Sequence, residues 1–193
     1  MSSLLKFKIT LIFFLSSSLF VFAGEPVKNG DFKDGRNFWS GEGKVINVDE
    51  AGQTVTKDGF PALDLTASKS SFVNCEQSIK LNQGVTKVVI TVIAKQLPDF
   101  RPNKESTKFT KNFGPGWWKW SGVIAPKADF CIRLQDGWYY YRAMNFPAGD
   151  DWQTIVFNID GLNPQGYKKL MLILSPGEGN ILVRSVTLKE NPQ

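Results

Sequence analysis

The segment Gln153-Thr154-Ile155-Val156-Phe157-Asn158-Ile159 has apolar side chains at every second position, and the turn residues Asp160-Gly161 follow it. Successive side chains of an extended strand point to opposite faces, so Ile155, Phe157 and Ile159 share one face. The intervening positions are more mixed. The pattern is typical of a strand that packs one face on a core and turns the other face to solvent.

Short apolar runs separated by turn residues continue through most of the 193-residue chain, and no segment shows a convincing helical period. Two runs, Thr86–Lys95 and Lys168–Leu174, are apolar on both faces, which predicts central strands covered on both sides. The predicted strands are Lys44–Val48, Ala62–Thr66, Phe72–Leu81, Thr86–Lys95, Asp129–Leu134, Trp138–Met144, Gln153–Ile159, Lys168–Leu174 and Ile181–Lys189. This pattern predicts one all-β domain over residues 24–193, a jelly-roll β-sandwich.

The composition limits the possible function classes. The chain has 23 Lys and Arg against 18 Asp and Glu, a formal charge of +5, and no histidine. Without histidine there is no Ser-His-Asp triad, no Cys-His dyad and no imidazole metal site. The basic residues are scattered and form no arginine-rich stripe, which argues against nucleic acid as a partner.

Residues 1–23 have the features of a secretory signal peptide. Two lysines supply the positive end, Ile9–Phe22 is mostly apolar, and Val21-Phe22-Ala23 places small residues at the cleavage positions. The apolar run is shorter than the roughly 20 residues that span a bilayer. We therefore expect cleavage before Gly24, a secreted, periplasmic or cell-surface protein, and no membrane insertion once the signal is removed.

The two cysteines, Cys75 and Cys131, leave two possibilities. In an oxidising compartment such a pair can form a disulfide. Strand phase argues against the disulfide, because Cys75 shares a face with the apolar Val73, whereas Cys131 is opposite in phase to the apolar Ile132. A disulfide and a pair of buried free thiols therefore both remain open.

Pro98–Pro126 interrupts the strand pattern with glycine, proline, lysine and aromatic residues. A connection of this length inside a compact domain is usually functional or disordered. The Trp117-Trp118-Lys119-Trp120 cluster makes simple disorder less favourable, since large aromatic side chains gain free energy when ordered against a surface.

Three segments resemble the secreted CenC-type carbohydrate-binding modules. The opening Val27-Lys28-Asn29-Gly30-Asp31-Phe32 is followed by Gly35 and Trp39, Gly149–Thr154 resembles a strand start of those modules, and Ile181–Leu188 resembles their closing strand. The resemblance implies a galactose-binding-like jelly roll that binds carbohydrate without catalysis. We expect Phe32 and Trp39 of the opening motif to be structural.

Members of this superfamily often hold a structural calcium ion, and the resemblance implies where it would lie. Here Lys33 stands where an acid is expected after Phe32, and Arg184-Ser185 replaces the acid expected in the closing strand. Calcium needs six to eight oxygen ligands, so cations at these positions oppose it. Asp31 is the nearest remaining candidate ligand. We expect no calcium and hypothesise that Arg184 pairs with a carboxylate of a terminal strand instead.

A sugar-binding surface needs flat aromatic faces for the C–H side of a pyranose and polar groups for its hydroxyls. Strand phase turns Asn74 and Glu76 of the strand Phe72–Leu81 outward. It also turns Arg133 of the strand Asp129–Leu134 outward, together with Gln135, which follows that strand. Most of the tryptophans and tyrosines lie close to these strands, although any of them could instead fill the core. The candidate ligand-binding residues are Trp117, Trp118, Trp120, Trp138, Tyr139, Tyr141, Arg133, Gln135, Asn74 and Glu76.

Two other function classes compete with sugar binding. Glycosidases need two carboxylates across the scissile bond, and the neighbouring acids Asp49-Glu50 and Asp150-Asp151 would point to opposite faces of a strand. A polysaccharide lyase could use Tyr139 or Tyr141 with an arginine. A structural or adhesive surface protein could use an aromatic patch to bind another protein. The sequence favours a non-catalytic protein whose partner is a poly- or oligosaccharide, with no cofactor.

Overall fold

A computed structural model describes residues 25–102, 130–135, 139–144, 151–163 and 167–191. Within these ranges no helix is long and apolar enough to cross a membrane. The predicted signal peptide lies outside the described residues and stays a prediction. The strands of the described ranges are β1 (Ser40–Gly41), β2 (Lys44–Val48), β3 (Phe60–Thr66), β4 (Val73–Lys80), β5 (Lys87–Gln96), β6 (Arg101–Pro102), β7 (Phe130–Gln135), β8 (Tyr139–Met144), β9 (Gln153–Asp160), β10 (Tyr167–Leu174), β11 (Gly177–Glu178) and β12 (Asn180–Asn191).

Ten of these strands form a two-sheet β-sandwich, and β6 and β11 pair separately as a two-stranded antiparallel sheet. One five-stranded sheet, the front sheet, has the order β1-β4-β10-β7-β8, and the other, the back sheet, has the order β2-β3-β12-β5-β9. Neighbouring strands in both sheets are antiparallel. All nine predicted strands are present with small shifts at their ends, so the prediction of an all-β sandwich is confirmed.

The core lies between the inward faces of the two sheets. Cys75, Ile132 and Leu172 of the front sheet belong to the same buried cluster as Ile90 and Val186 of the back sheet. Strand β9 shows the predicted alternation, since its apolar positions are buried and the positions between them are exposed. Period-two patterning therefore determines which side chains enter the core.

The two strands predicted to be covered on both sides differ. In β10 both faces are covered, because Leu172 is buried on the inward face and Ile173 on the outward face. The prediction for β5 holds only in part: Val88 and Ile90 are buried on the inward face, whereas Val89 and Thr91 on the outward face are half-buried. Strand β5 lies next to the edge strand β9. Its outward side chains are β-branched like those of a buried face, although they are only half-buried.

The opening motif is structural, as predicted. Phe32 is fully buried and its ring lies 5.6 Å from that of Trp39, which is also buried. The Trp39 indole Nε1–H donates to the Asn29 carbonyl over 3.1 Å. The Val186 N–H of β12 donates to the Gly30 carbonyl over 2.8 Å, so the turn binds directly to the closing strand. The opening turn and the closing strand β12 are therefore in direct contact.

Gly30 is a sharp test of that close approach. A Cβ atom at Gly30 would lie 2.1 Å from the Val186 carbonyl oxygen, which is backbone and cannot rotate away. We expect Gly30→Ala to lower the free energy of unfolding by about 2–4 kcal/mol in denaturant titration. Gly84→Ala is the matched control, because a Cβ atom at Gly84 would meet nothing within 4 Å. The only cost of this substitution is the backbone strain of alanine at a φ of +83°, about 1–2 kcal/mol of unfolding free energy. Equal losses for the two variants would contradict the close approach.

Both cysteines are buried free thiols, which decides the question left open by the sequence. Cys75 is opposite Leu172 in the register of β4 with β10, and Cys131 is opposite Ile173 in the register of β7 with β10. Because Leu172 and Ile173 are consecutive, the two thiols lie on opposite faces of the front sheet, where no disulfide geometry is possible.

The Cys75 thiol gives a pH-dependent prediction. Burial raises the pKa of Cys75 from 9.0 to about 11, with the nearby Arg36 guanidinium opposing the rise. The unfolded thiol loses its proton first, so its contribution to stability is complete below pH 9 and is lost between pH 9 and pH 11. We expect this loss to be about 2–3 kcal/mol. Denaturant titrations at a series of pH values should show the free energy of unfolding of wild type falling more steeply between pH 9 and pH 11 than that of Cys75→Ala. Parallel profiles of the unfolding free energy against pH would contradict the raised pKa of Cys75.

Candidate functional site

The outward side of the front sheet brings together four of the residues predicted to bind a ligand. Asn74 and Glu76 lie on β4, Arg133 and Gln135 lie on β7, and all four are half-buried. Val73, Cys75, Ile132 and Leu134, which alternate with them, are in the core between the sheets. Strand alternation therefore turns all four side chains away from the core, as the sequence predicted.

The register arranges these residues in rows across the sheet. Glu76 is opposite Met171 of β10, and Met171 is opposite Arg133 of β7. In the next row, Lys169 of β10 is opposite Gln135. Since neighbouring strands lie about 4.8 Å apart, Glu76 and Arg133 are separated by about 10 Å of sheet.

The predicted aromatic residues are only partly within the described residues. Strand β8 continues the rows, with Tyr139 opposite Gln135 and Tyr141 opposite Arg133. This places both tyrosines at register positions beside the polar residues. Trp117, Trp118, Trp120 and Trp138 lie outside the described residues, and their assignment to the ligand stays a prediction.

Two residues that the sequence analysis missed organise this side of the sheet. The Lys169 Nζ lies 2.8 Å from Glu76 Oε1, and the Arg133 Nε lies 2.9 Å from the Met171 sulfur. Met171 is itself buried, so it supports the guanidinium from below and offers little surface to a ligand. Because Lys168–Leu174 is apolar on both faces, the pattern gave no sign that Lys169 and Met171 share the outward face.

Asp31, the candidate metal ligand, forms an ion pair with the neighbouring Lys33. Lys33 Nζ lies 2.7 Å from Asp31 Oδ2, and the hydrogen bond from Lys33 lowers the pKa of the Asp31 carboxyl. No group of three acidic, cysteine or histidine side chains that could hold an ion occurs in the described part of the chain. The donor set therefore does not fit the six to eight oxygens that calcium needs.

Arg184 does pair with a carboxylate, but the predicted partner is wrong. Its Nη1 lies 3.1 and 3.2 Å from the two carboxylate oxygens of Glu50, which follows β2 and belongs to no terminal strand. The guanidinium carbon also lies 3.8 Å from the centre of the Phe60 ring and 6.0 Å from that of Trp152. The Trp152 Nε1–H donates to the Glu50 carbonyl over 2.9 Å, so the loop after β2 is fastened over the outward side of the back sheet.

The fold is similar to that of solved structures at low sequence identity. The enzymatically active domain of tailspike protein 4 from bacteriophage CBA120 matches with 12% identity and a TM-score of 0.54, over 86% of this chain and 21% of that chain. The module TmCBM61, solved with β-1,4-galactotriose, matches with 10% identity and a TM-score of 0.50, over 88% of this chain and 100% of that chain.

A carbohydrate-binding module of family 4 is less similar, with 14% identity and a TM-score of 0.48 over 85% of this chain and 99% of that chain. The sandwich fold is thus shared with carbohydrate-binding modules, and the chain spans about a fifth of the tailspike protein it matches. No protein-family profile matches the sequence, and no curated protein matches it.

Arg184 is paired with Glu50 and Asp31 is paired with Lys33. We therefore predict that the stability of the protein does not depend on a bound metal ion. We expect a chelator such as EDTA to leave the melting temperature unchanged. Arg184→Lys keeps the charge but loses the planar stacking on Phe60, and it should cost about 1 kcal/mol, a fall of about 2–4 °C. Lys189→Arg, an exposed site on the same strand, is the control and should have no effect. A large chelator-induced fall in the melting temperature would refute this assignment.

Proposed function

We propose that this chain is a non-catalytic, secreted carbohydrate-binding protein of the CenC type, with a galactose-binding-like jelly-roll topology. It holds a poly- or oligosaccharide on the outward side of the front sheet. One observation supports this proposal above the others: Asn74, Glu76, Arg133 and Gln135 all turn outward on one face of a fold that carbohydrate-binding modules share.

The chemistry of these side chains suits sugar hydroxyls. Amides, carboxylates and guanidinium groups can each bind two neighbouring hydroxyls, as donors, acceptors or both. Each sugar hydroxyl leaves water in order to bind, so one contact contributes only about 1 kcal/mol. Several contacts in one plane are therefore needed, and the rows of the front sheet supply them. Stacking by Tyr139, Tyr141 and the predicted tryptophans would add the apolar part of the interaction.

The same face argues against hydrolysis. On the described outward side of strands β4, β7 and β10, Glu76 is the only carboxylate, and Lys169 engages it at 2.8 Å. A glycosidase needs a second carboxylate across the scissile bond. A lyase needs no such pair, and the register of Tyr141 opposite Arg133 makes it the enzymatic alternative to test.

A panel of polysaccharides tests the proposal. Affinity electrophoresis of the protein in gels containing β-glucans, xylans, mannans, galactans or polyuronates should show retardation by at least one polymer. No retardation by any polymer would contradict the proposal and favour an adhesive or structural role. Release of unsaturated products that absorb in the ultraviolet would identify a lyase instead.

Variants on the two outward faces locate the site. Asn74→Ala and Gln135→Ala each remove one hydrogen-bonding side chain, and we expect each to weaken binding about fivefold. Thr154→Ala, on the outward side of β9 in the back sheet, is the control and should bind like wild type. Melting curves of all three variants should coincide with the wild-type curve. Equal weakening by the control would place the site elsewhere.

A further inference from the structure

Phe38 is an aromatic residue that the core does not use. Its side chain is 59% exposed, whereas that of the next residue, Trp39, is buried. A single exposed apolar side chain is common on protein surfaces, so the exposure of Phe38 by itself indicates no function. The backbone conformation of the same residue is the second observation.

The backbone of Phe38 is in a conformation that a bulky side chain disfavours. Its φ is +71°, in the left-handed region that glycine adopts most easily. The Trp39 N–H donates to the Arg36 carbonyl over 2.8 Å, so Phe38 is the third residue of a tight turn. A positive φ at that position favours glycine. Phenylalanine therefore strains the turn without the gain of a buried ring, and strain of this kind is concentrated at functional sites.

The turn that presents Phe38 is held on both sides. The Asn29 side-chain Nδ2 donates to the Asn37 carbonyl over 3.1 Å, just before Phe38. The Arg36 Nη2 donates to the Gly41 carbonyl over 2.6 Å, beyond it. A side chain on a turn fixed in this way loses less conformational entropy when a ligand binds than one on a free loop.

Phe38 lies at the edge of the front sheet. It comes two residues before Ser40 of the edge strand β1, and Ser40 is opposite Glu76 of β4. Directly opposite residues of an antiparallel pair have side chains on the same side, so Ser40 shares the outward side with Glu76. Phe38 and Ser40 are exposed and Trp39 between them is buried. This alternation puts Phe38 on the side of the proposed ligand-binding residues.

Lys28 joins the Phe38 ring to the same strand of the front sheet. The Lys28 N–H donates to Gln77 Oε1, and Gln77 Nε2 donates to the Lys28 carbonyl, both over 2.8 Å. Gln77 is buried in β4, so the backbone of Lys28 is fixed to that strand. Lys28 Nζ lies 5.3 Å from the centre of the Phe38 ring. The cation restricts the ring, and more than half of the side chain remains open to solvent.

Phe38 is too far from the polar residues of β7 to share one sugar unit with them. In the order of the front sheet, three strand spacings separate β1 from β7, about 14 Å in all. A pyranose ring stacked on Phe38 therefore does not reach Gln135. A chain of several sugar units that crosses the strands contacts both residues.

From these observations we infer that Phe38 binds the ligand, and that the ligand is a linear glycan of several units that lies across the strands of the front sheet. The C–H side of one sugar unit packs on the Phe38 ring, and the polar side chains of β4 and β7 bind other units of the same chain. The inference rests on the proposed function and narrows it from saccharides in general to extended chains.

Oligosaccharides of graded length test the inference. Oligomers of two to six units from each polymer of the panel (β-glucan, xylan, mannan, galactan and polyuronate) are titrated calorimetrically into the whole protein. We expect wild type to bind the hexamer of its preferred polymer at least about tenfold more tightly than the dimer. Phe38→Gly should bind the dimer like wild type and the hexamer about five- to tenfold more weakly, since one aromatic contact is lost.

Stability measurements separate binding from a structural role of the ring. Because Phe38→Gly relieves the strain, its melting temperature should rise by about 2 °C while its hexamer affinity falls. Phe38→Tyr should retain the affinity, and Phe38→Leu, which is apolar but has no ring, should lose as much as Phe38→Gly. Val156→Ala is the matched control, because Val156 is 53% exposed on the back sheet, and it should bind every oligomer like wild type.

Three results would overturn the inference while the proposed function stands. They are wild-type binding of the hexamer by Phe38→Gly, equal affinity of wild type for all chain lengths, and a fall in the melting temperature of Phe38→Gly. Intact hexamer binding together with loss of self-association in sedimentation of Phe38→Gly would assign the ring to contact with a second copy of the chain. Binding of wild type to no oligomer and no polymer would overturn the proposed function and the inference together.

Discussion

Burial of the two inward faces against each other is the interaction on which the other features depend. Side chains alternate along a strand, so once Cys75 and Ile132 are in the core, the direction of their neighbours follows. A slip of one residue in β4 or β7 would bury Glu76 or Arg133 without a partner, at a cost of several kcal/mol. The core therefore sets the register, and the register places the polar residues of the front sheet on one side.

The central strand of the front sheet connects the core to that polar side. Leu172 of β10 is part of the core, and Met171 beside it is buried on the outward face under the Arg133 guanidinium. A long arginine side chain in solvent loses conformational entropy when it binds a ligand. The buried thioether contacts the guanidinium and would reduce that loss at the proposed site, because it already restricts the side chain. In this way the packing of an apolar strand fixes the position of a charged group on the outward side of the sheet.

The sequence was sufficient for features that depend on period-two patterning. It predicted the nine strands, the burial of Phe32 and Trp39, and the outward direction of Asn74 and Arg133. It failed where the outcome depends on contacts between distant segments. The half-buried outward face of β5 depends on what packs beside and over the strand, and the pairing of Arg184 with Glu50 joins residues that are 134 positions apart. Lys169 and Met171 were missed because a strand apolar on both faces does not reveal its phase.

The two outward faces of the sandwich differ in what they can offer a ligand. On the back sheet, Gly52 of the loop after β2 lies against Leu182, Leu97 and Lys95, and Leu182 is fully buried beneath it. The cations Lys44 and Arg184 on that face are paired with Asp64 and Glu50, and along β5 and β9 the face has β-branched side chains such as Thr91 and Val156, of which Val156 is 53% exposed. Such side chains give a flat surface with few groups for hydroxyls or carboxylates. The front sheet instead has amides, a carboxylate and a supported guanidinium in adjacent rows, and this difference in chemistry is the reason to assign ligand binding to the front sheet.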